Sequence, residues 1–323
     1  AGIIYPEERG VRTMILNRLT SKDDQEEWLR IRKQYLTGTD AGAVCGMNPY
    51  KSAIQVYLDK TTSDIELKDN EAMRLGRDME DYVAERFMET TGKKVRRSNA
   101  MYVSDRHPFM MANVDRLVVG ENAGLECKTA SPYTTDRWKD GKVPEWYYLQ
   151  CQHYMETLGK DGWYLAVLIF GKGFQYTYME RDEELLRDLV SIEEDFWENH
   201  VQAGVMPAPD GSKGADELIR KYFHTKAGVT TQLIGFDDRI SRRNELSDLI
   251  KKLQTEQKTI DQELKMYLGK EQAQIGVSDH YRVTWNEIES SRIDTERLKK
   301  ERPEIYREYT KVQKSSRLNI YVA

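Results

Sequence analysis

The stretch ANVDRLVVGENAGLECKT, residues 112–129, carries apolar residues on both sides of a glycine-containing turn. This pattern predicts two adjacent strands joined by the turn. Successive side chains on a strand point to opposite faces, so Glu126 and Lys128 should share one face, with Cys127 on the other. Asp115 lies near the end of the first predicted strand and can reach the same face. The stretch therefore predicts two carboxylates and one ammonium at a single place in a sheet.

Two carboxylates beside a lysine suit the hydrolysis of a phosphodiester. Carboxylate oxygens are ligands that Mg²⁺ prefers, and the bound ion polarises a phosphate and lowers the pKa of a bound water. A lysine beside that water can orient it and stabilise developing negative charge. The alternative is an exposed hairpin whose charges are only solvated, because loosely spaced patterns of this kind are common. Apolar neighbours favour the catalytic interpretation; they are Leu117, Val118, Val119 and Leu125.

The remaining patterns predict an α/β (α+β) architecture. Apolar residues at helical spacing and glycines at helix ends predict helices at 22–35, 70–91, 144–158 and 182–201. Apolar strand-like runs predict strands at 109–114, 116–119, 125–129, 163–170 and 174–180. Residues 37–52 predict a glycine-rich loop with a short helix. This order of elements indicates a sheet flanked by helices.

A change of composition predicts a domain boundary after residue 203. Residues 204–215 have the Pro, Gly and Ser content of a linker, so a first domain should cover 1–203 and an extension 204–323. In the extension, the sequence pattern predicts a small α+β unit and a long charged helix with an apolar seam. That seam must be covered, either by the α+β unit or by another chain. Its predicted elements are a helix at 241–268 ended by Gly269, a strand at 281–285, a helix at 294–309 and a strand at 317–322.

Composition limits the classes of protein. The net charge of −5 argues against extensive wrapping of nucleic acid, so DNA contacts would depend on local clusters of basic residues. The three cysteines, Cys45, Cys127 and Cys151, lie far apart, which excludes a disulfide scaffold and a four-cysteine metal cage. Without a long apolar run, a membrane association is not expected. A soluble protein of the cytoplasm of a bacterial host cell is expected.

Five ordered segments resemble the YqaJ-like phage recombinase exonucleases, relatives of phage lambda exonuclease in the PD-(D/E)XK nuclease superfamily. The segments are LTGTDAGAVCGMNPYKS (36–52), LGRDMEDYVAERF (75–87), ANVDRLV (112–118), LECKT (125–129) and YYLQCQHYM (147–155). The match spans residues 22–180 and follows the order of the family. The resemblance implies a PD-(D/E)XK nuclease core in which helices flank a mixed central sheet.

The resemblance also implies roles at the predicted site. Asp115, Glu126, the carbonyl of Cys127 and Glu80 correspond to ligands of Mg²⁺, with Mn²⁺ as a substitute. Lys128 corresponds to the catalytic lysine. For Glu80 the alternative is a solvated helix face, since its helix carries other acidic residues.

Two polar residues of the last segment lie four positions apart, Gln150 and Tyr154. They should share one face of a helix, from which they can support the metal site or hold a phosphate. The resemblance places Gln150 in the catalytic set. An ordinary amphipathic helix is the alternative for Tyr154.

Three further residues correspond to a pocket for a DNA 5′-phosphate, Arg32, Thr39 and Asn113. A guanidinium binds two phosphate oxygens at once, and a hydroxyl and a small polar side chain complete such a pocket. A neighbouring arginine, Arg30, is the alternative if the register is shifted by two residues, and a solvated helix face is the alternative for both.

The predicted function is a Mg²⁺-dependent 5′→3′ exonuclease that degrades one strand of linear double-stranded DNA for phage-type recombination by single-strand annealing. The resemblance supplies the direction and the substrate, whereas the residues alone predict only metal-dependent phosphodiester cleavage. Two alternatives stay open, a restriction-like endonuclease and a non-catalytic DNA-binding scaffold. Double-stranded DNA ends are the expected partner, with a single-strand annealing recombinase and a homo-oligomer as further expectations.

Overall fold

A computed structural model describes residues 3–5, 11–15, 22–62, 70–98, 100–311 and 317–321. The chain divides into two units, residues 1–224 and 225–323. The predicted linker belongs to the first unit, as does a helix that begins within it at Lys213. Separation of a working domain at residue 203 stays a prediction.

The first unit holds ten strands and seven helices in its described residues. The strands are β1 (Ile3–Tyr5), β2 (Val11–Ile15), β3 (Leu36–Thr37), β4 (Val95–Arg97), β5 (Ala100–Ser104), β6 (Met110–Asn113), β7 (Arg116–Val118), β8 (Ala123–Ala130), β9 (Gly162–Ile169) and β10 (Gly173–Glu180). The helices are α1 (Lys22–Arg32), α2 (Gly38–Val44), α3 (Ala53–Thr61), α4 (Glu71–Thr91), α5 (Glu145–Leu158), α6 (Glu183–Asp195) and α7 (Lys213–Tyr222). A 3₁₀ segment covers Pro132–Gly141, and a π-helical segment, Phe196–Gln202, follows α6.

The strands form two five-stranded sheets, and both are mixed. The first has the order β10-β9-β8-β7-β4, in which only β8 and β9 run parallel. The second has the order β1-β2-β5-β6-β3, in which only β3 and β6 run parallel. The predicted α/β class with a mixed sheet flanked by helices is confirmed.

The strands fall into two sheets, and this division determines the setting of Asp115. Strand β6 belongs to one sheet and β7 to the other, and two residues, Val114 and Asp115, link them. Asp115 therefore lies in the link and not within a strand. A residue at such a junction can reach the ends of both sheets.

Helix α4 covers one face of the sheet that contains β8. It begins after Asn70, whose side-chain oxygen accepts the N–H of Met73 at 2.9 Å. It ends at Gly92, whose φ of 71° suits a residue without Cβ. Its apolar side chains pack on strands of this sheet in a core of Val83, Ala84, Phe87, Val118, Ala123, Leu125, Tyr164 and Ala166.

Helix α5 contacts strands of both sheets, and every residue from Leu149 to Leu158 is buried. Polar side chains in that run must find partners inside the protein. His153 Nδ1 lies 2.9 Å from Glu193 Oε1 on α6, and Nε2 lies 3.1 Å from the carbonyl oxygen of Met111. His153 thus ties α5 to α6 and β6, as expected for a structural histidine.

Two glycines of α2 let α5 approach closely. A Cβ at Gly38 would lie 2.4 Å from Tyr154 Cε1, and a Cβ at Gly42 would lie 2.6 Å from Trp146 Cβ. Glycine at both positions leaves room for these contacts. The close crossing brings the pocket residues near α2 beside the polar residues of α5.

The second unit contains α8 (Asp237–Lys270), β11 (Ile275–Val277), β12 (Arg282–Thr284), α9 (Thr295–Glu301) and α10 (Pro303–Tyr309). Helix α8 and the short strand at 281–285 agree with the sequence prediction within a few residues. Helix α7, within the first unit, was not predicted, although Ser212 caps it by accepting the N–H of Ala215.

Three predictions for the second unit were wrong. The helix predicted at 294–309 is broken at Arg302, because Pro303 disfavours helical backbone at the residue before it. The described residues of the strand predicted at 317–322, which are 317–321, form no strand. Gly269 does not end α8, which continues to Lys270, and the left-handed residue is Gln272 with φ of 50°.

The apolar seam of α8 is exposed. Leu253 is 64% exposed, and the other seam residues are also exposed: Leu246, Leu249, Ile250, Ile260, Leu264 and Tyr267. Only Leu268 of this helix is buried among its described residues. The small α+β unit therefore leaves the seam uncovered, contrary to one of the two predicted possibilities.

Candidate active site

Strand β8 presents Glu126 and Lys128 on one face. Lys128 Nζ donates to Glu126 Oε1 at 2.5 Å. The side chain between them, Cys127, packs on the opposite face against the α4 core. Alternation of side chains along the strand therefore produces the carboxylate–ammonium pair that the sequence predicted.

The side chain of Asp115, which lies in the link between the two sheets, is hydrogen-bonded to the same strand. The backbone N–H of Cys127 donates to Asp115 Oδ2 at 2.8 Å. Burial raises the pKa of Asp115 well above its ordinary value, and the negative charges of Glu126 and Glu80 add to the rise. Two carboxylates held close together in this way repel each other, and a cation between them would relieve the repulsion.

Glu126 has one satisfied and one unsatisfied oxygen. Its side chain is buried, and Oε1 accepts from Gln150 Nε2 at 2.7 Å as well as from Lys128. Its buried Oε2 has no hydrogen-bond partner among the described residues. An orphaned buried carboxylate oxygen is costly, and a hard cation is a ligand that would satisfy it.

Helix α5 supports Glu126 from behind. Gln150 and Tyr154 lie on one face, as their spacing predicts, and Gln150 Nε2 donates to the Tyr154 hydroxyl oxygen at 2.8 Å. Both side chains are buried. The amide therefore joins Glu126 to the helix and fixes which carboxylate oxygen stays available.

Lys128 remains charged despite its enclosed position. Burial by itself would lower its pKa, but the negative charge of Glu126, with smaller contributions from Tyr147 and Asp115, raises the pKa above its ordinary value. Its ammonium lies 4.8 Å from the centre of the Tyr147 ring, a cation–π contact. A fixed positive charge thus stands beside the two carboxylates.

Glu80 approaches this group through an arginine that the sequence reasoning missed. The buried Arg116 donates to Glu80 Oε1 at 2.5 Å, to the Asp115 carbonyl oxygen at 2.8 Å and to Asp81. An arginine directly after Asp115 in an apolar strand was a signal that could have pointed to a buried ion pair. The partners of Arg116 on α4 could not be predicted from a local sequence pattern.

The predicted phosphate pocket brings Arg32 and Thr39 together. Arg32 Nη2 donates to Thr39 Oγ1 at 3.0 Å and to Thr37 Oγ1 at 3.1 Å. The guanidinium carbon lies 4.4 Å from the centre of the Trp28 ring, which holds the side chain in place. The alternative, Arg30, is exposed and pairs with Glu27, so the geometry favours Arg32.

Asn113 lies at the end of β6, two residues after Met111, the strand partner of Thr37. Its buried Oδ1 is without a hydrogen-bond partner among the described residues, as is Nε of Arg32.

A buried ion cluster beside this pocket was also missed. Asp40 is 1% exposed, and its carboxylate forms two ion pairs. Lys51 Nζ lies 2.7 Å from Oδ1, and Lys60 Nζ lies 2.8 Å from Oδ2. Burial alone would raise the pKa of Asp40, but the positive charges of Lys51, Lys60 and Arg32 hold it well below its ordinary value. Lys60 also lies 3.8 Å from Asp59, so three cations face two carboxylates and leave one positive charge in excess, which suits an anionic ligand.

The donor set fits a hard divalent cation. Asp115 and Glu126 supply carboxylate oxygens. Cys127 stands between Glu126 and Lys128 in the sequence, and its backbone carbonyl is a further candidate ligand. Glu80 is engaged by Arg116. Over the described ranges, no three side chains of His, Cys, Asp or Glu already form a metal-binding group.

In the part of the chain that the structure describes, no helix is long and apolar enough to cross a membrane.

Solved structures similar to this chain include an alkaline exonuclease and a phage-related exonuclease. LHK-Exo from Laribacter hongkongensis is 22% identical with a TM-score of 0.47, covering 61% of this chain and 97% of that one. The phage-related exonuclease from Haemophilus somnus 129PT is 16% identical with a TM-score of 0.38, covering 59% of this chain and 92% of that one. At these scores the similarity carries no conclusion about activity.

Sequence comparison is more informative. The YqaJ-like viral recombinase domain matches residues 27–161, which contain every residue of the site and pocket described above. The uncharacterized protein YqaJ of Bacillus subtilis (strain 168) is 36% identical over 296 residues, which cover 90% of this chain and 92% of that protein. With identity of this extent over nearly the whole chain, the protein belongs to the YqaJ-like viral recombinase family.

Proposed function

We propose that the chain is a Mg²⁺-dependent deoxyribonuclease that degrades one strand of linear double-stranded DNA from the 5′ end. The observation that carries the proposal is the free, buried Oε2 of Glu126 beside Asp115 and Lys128. Hard oxygen ligands, a fixed ammonium and apolar surroundings form a set that suits phosphodiester hydrolysis. The family resemblance in the sequence supports DNA as the substrate.

Asp115 and Glu126 would hold the ion, with Mn²⁺ as a substitute, and the carbonyl of Cys127 is a third candidate ligand. When bound, the ion supplies Lewis-acid polarisation of the phosphate and lowers the pKa of a water. Lys128 orients the attacking water and stabilises negative charge on the phosphate oxygens. Gln150 keeps the Glu126 carboxylate in position through its hydrogen bond at 2.7 Å. Glu80 is proposed as an additional acidic group, held next to the site by Arg116.

The 5′ direction is supported by the pocket of Arg32, Thr39 and Asn113. A terminal phosphate offers oxygen acceptors to the guanidinium and hydroxyl, and it suits the excess of cations around Asp40. Binding of an end at this pocket would favour release of nucleotides from linear DNA over internal cleavage. A restriction-like endonuclease would instead cut closed circles.

We expect Arg32→Ala to remove a preference for 5′-phosphorylated ends. Wild type should digest a 5′-phosphorylated duplex about tenfold faster than its 5′-hydroxyl form, because a charged hydrogen bond contributes on the order of 1.5–3 kcal/mol. The variant should digest both at the same rate. The measurement is nucleotide release from the paired substrates, with Arg30→Ala as the matched control. Equal rates on both ends by the wild type would exclude the pocket.

We expect truncation after residue 203 to leave a chain that folds and cleaves but assembles differently. The residues of the site lie before that point, whereas the exposed seam of α8 lies after it. A homo-oligomer or a single-strand annealing recombinase is the proposed occupant of that seam in the bacterial cytoplasm. The measurements are nuclease activity and molar mass by light scattering. An unfolded or inactive fragment would place 204–323, including α7, within the catalytic fold.

A further inference from the structure

A second surface lies next to the catalytic residues, at the amino-terminal end of α5. It is a groove of about 500 Å³, called here the Trp146 groove, whose lining includes Met47, Pro49, Arg137, Lys142, Glu145 and Trp146. Its residues come from three separate parts of the chain, the loop between α2 and α3, the 3₁₀ segment and the start of α5. None of the proposed steps of hydrolysis uses it.

Two lining residues of this groove, Trp146 and Arg137, are in contact with the Tyr50 ring beside it. The Tyr50 ring packs edge-on against Trp146 with ring centres 5.8 Å apart. The guanidinium of Arg137 lies 5.4 Å from the Trp146 ring centre and 5.9 Å from that of Tyr50, and it donates to the Tyr50 hydroxyl oxygen at 2.8 Å. Tyr50 nevertheless stays 65% exposed. Trp146 is partly exposed. Accessible aromatic rings beside an arginine are a means by which proteins stack unpaired bases.

The groove is connected to both functional places described above. The Trp146 ring lies 5.4 Å from the Tyr147 ring, whose centre is 4.8 Å from the ammonium of Lys128. On the other side, Tyr50 is followed directly by Lys51, which belongs to the ion cluster beside Arg32. The groove is thus one aromatic ring away from the catalytic lysine, and the adjoining Tyr50 is one residue away from the ion cluster beside the phosphate pocket.

Charge favours an anionic occupant. Of the three charged residues in the lining, Arg137 and Lys142 are cations and Glu145 is an anion, in a chain whose net charge is −5. Backbone phosphates suit the cations, and bases suit the rings. A base inside a duplex is already stacked and paired, so the rings would be available only to unpaired bases.

We propose that the Trp146 groove binds unpaired bases of single-stranded DNA beside the active site. This inference rests on the proposed function, because digestion of one strand of a duplex leaves its complement unpaired at the site of reaction. The unpaired bases would stack on the rings of Trp146 and Tyr50. The guanidinium of Arg137 would lie between these rings and the sugar-phosphate backbone of the DNA. It would therefore add affinity for a partly digested end over an intact duplex.

The test is binding of a labelled 5′-hydroxyl oligothymidylate to the full chain in EDTA, followed by fluorescence anisotropy. The 5′-hydroxyl removes the contribution of the phosphate pocket, and EDTA prevents cleavage. Trp146→Leu should raise the Kd for this strand about tenfold, because one stacked base loses its aromatic partner. Trp146→Phe keeps a ring and should stay within about threefold of wild type. A blunt 5′-hydroxyl duplex should bind all three proteins within about twofold.

Two further variants keep the result interpretable. Tyr50→Leu should weaken binding of the single strand several-fold. If Trp146→Leu fails to fold, the result for Tyr50→Leu tests the proposed stacking in its place. Tyr133→Leu is the matched control, because Tyr133 is 95% exposed and no ring in the described part of the chain contacts it. Unchanged single-strand binding by Trp146→Leu and Tyr50→Leu would overturn the inference, as would equal weakening by Tyr133→Leu. A change of molar mass without a change in DNA binding would do the same and indicate a second copy as occupant.

Nucleotide release from linear duplex by wild type with Mg²⁺ is measured in parallel. Release without any effect of the groove variants on single-strand binding refutes the groove alone. Absence of release refutes the nuclease, and with it the reaction from which the unpaired strand was inferred.

Discussion

Lys128→Ala should reduce cleavage of linear duplex DNA by at least about 10²-fold, while Mg²⁺ and DNA still bind. The expected size follows from losing a group that stabilises charge only as the reaction proceeds. The ammonium is held at 2.5 Å from Glu126 Oε1 and at 4.8 Å from the Tyr147 ring centre, whereas the nearby guanidinium of Arg116 is bound by Glu80, Asp81 and the Asp115 carbonyl. Removing one positive charge from beside two carboxylates should leave metal affinity unchanged or increase it.

The measurements are single-turnover cleavage and Mg²⁺ titration by calorimetry on the same preparations. Lys139→Ala is the matched control, because Lys139 is exposed and pairs only with Asp136 among the described residues. Lys128→Arg keeps the charge with a different shape and should recover part of the activity. Wild-type turnover by Lys128→Ala would refute the catalytic assignment, whereas loss of metal binding would indicate a ligand-positioning role instead.

Asp115→Asn and Glu126→Gln should abolish both cleavage and the stabilisation that Mg²⁺ confers. Each substitution removes one of the two negative charges and keeps an oxygen acceptor, so the N–H of Cys127 can still donate to residue 115. Wild type should gain about 2.7 kcal/mol in the free energy of unfolding when Mg²⁺ exceeds its Kd about 100-fold. The two variants should gain little over the same range.

Without metal, Asp115→Asn should be more stable than wild type at neutral pH. The pKa of Asp115 is raised in the folded chain, chiefly by burial and then by Glu126 and Glu80, so the folded state binds a proton more tightly than the unfolded state. Its contribution to stability is therefore lost as pH rises from the ordinary carboxyl range through the raised pKa. The neutral amide avoids that loss.

The check is thermal unfolding of wild type and both variants, with and without Mg²⁺, at several pH values. The stability difference between metal-free wild type and Asp115→Asn should shrink toward acidic pH. A Mg²⁺-induced rise in Tm in both variants equal to that of wild type would place the ion elsewhere.

Local sequence signals predicted the part of the site that depends on one strand or one helix. The period of two placed Glu126 and Lys128 together, and the spacing of four placed Gln150 and Tyr154 together. The ends of α4 and α5 were predicted because Gly92 and Gly159 adopt positive φ, which few other residues tolerate. Such features are set by neighbours within a few residues, so a pattern is sufficient.

Groups assembled from distant segments were not predictable in this way. Arg116 meets Glu80 across 36 positions, and Tyr50 contacts Arg137 across 87. The Asp40 cluster joins residues of α2, α3 and the loop between them. The passage of the chain from one sheet to the other at Asp115 depends on strand pairing, which no short pattern specifies. By contrast, the break before Pro303 was readable and was overlooked.

We propose that metal-dependent hydrolysis of linear DNA takes place at Asp115, Glu126 and Lys128. Its most direct test is release of acid-soluble nucleotides from a 5′-phosphorylated linear duplex by the metal-free full chain, before and after Mg²⁺ is added. We expect release only after Mg²⁺ is added, none from a covalently closed circle, and at least about 10²-fold less from the Lys128→Ala chain. No release with either Mg²⁺ or Mn²⁺, or undiminished release by Lys128→Ala, would contradict it.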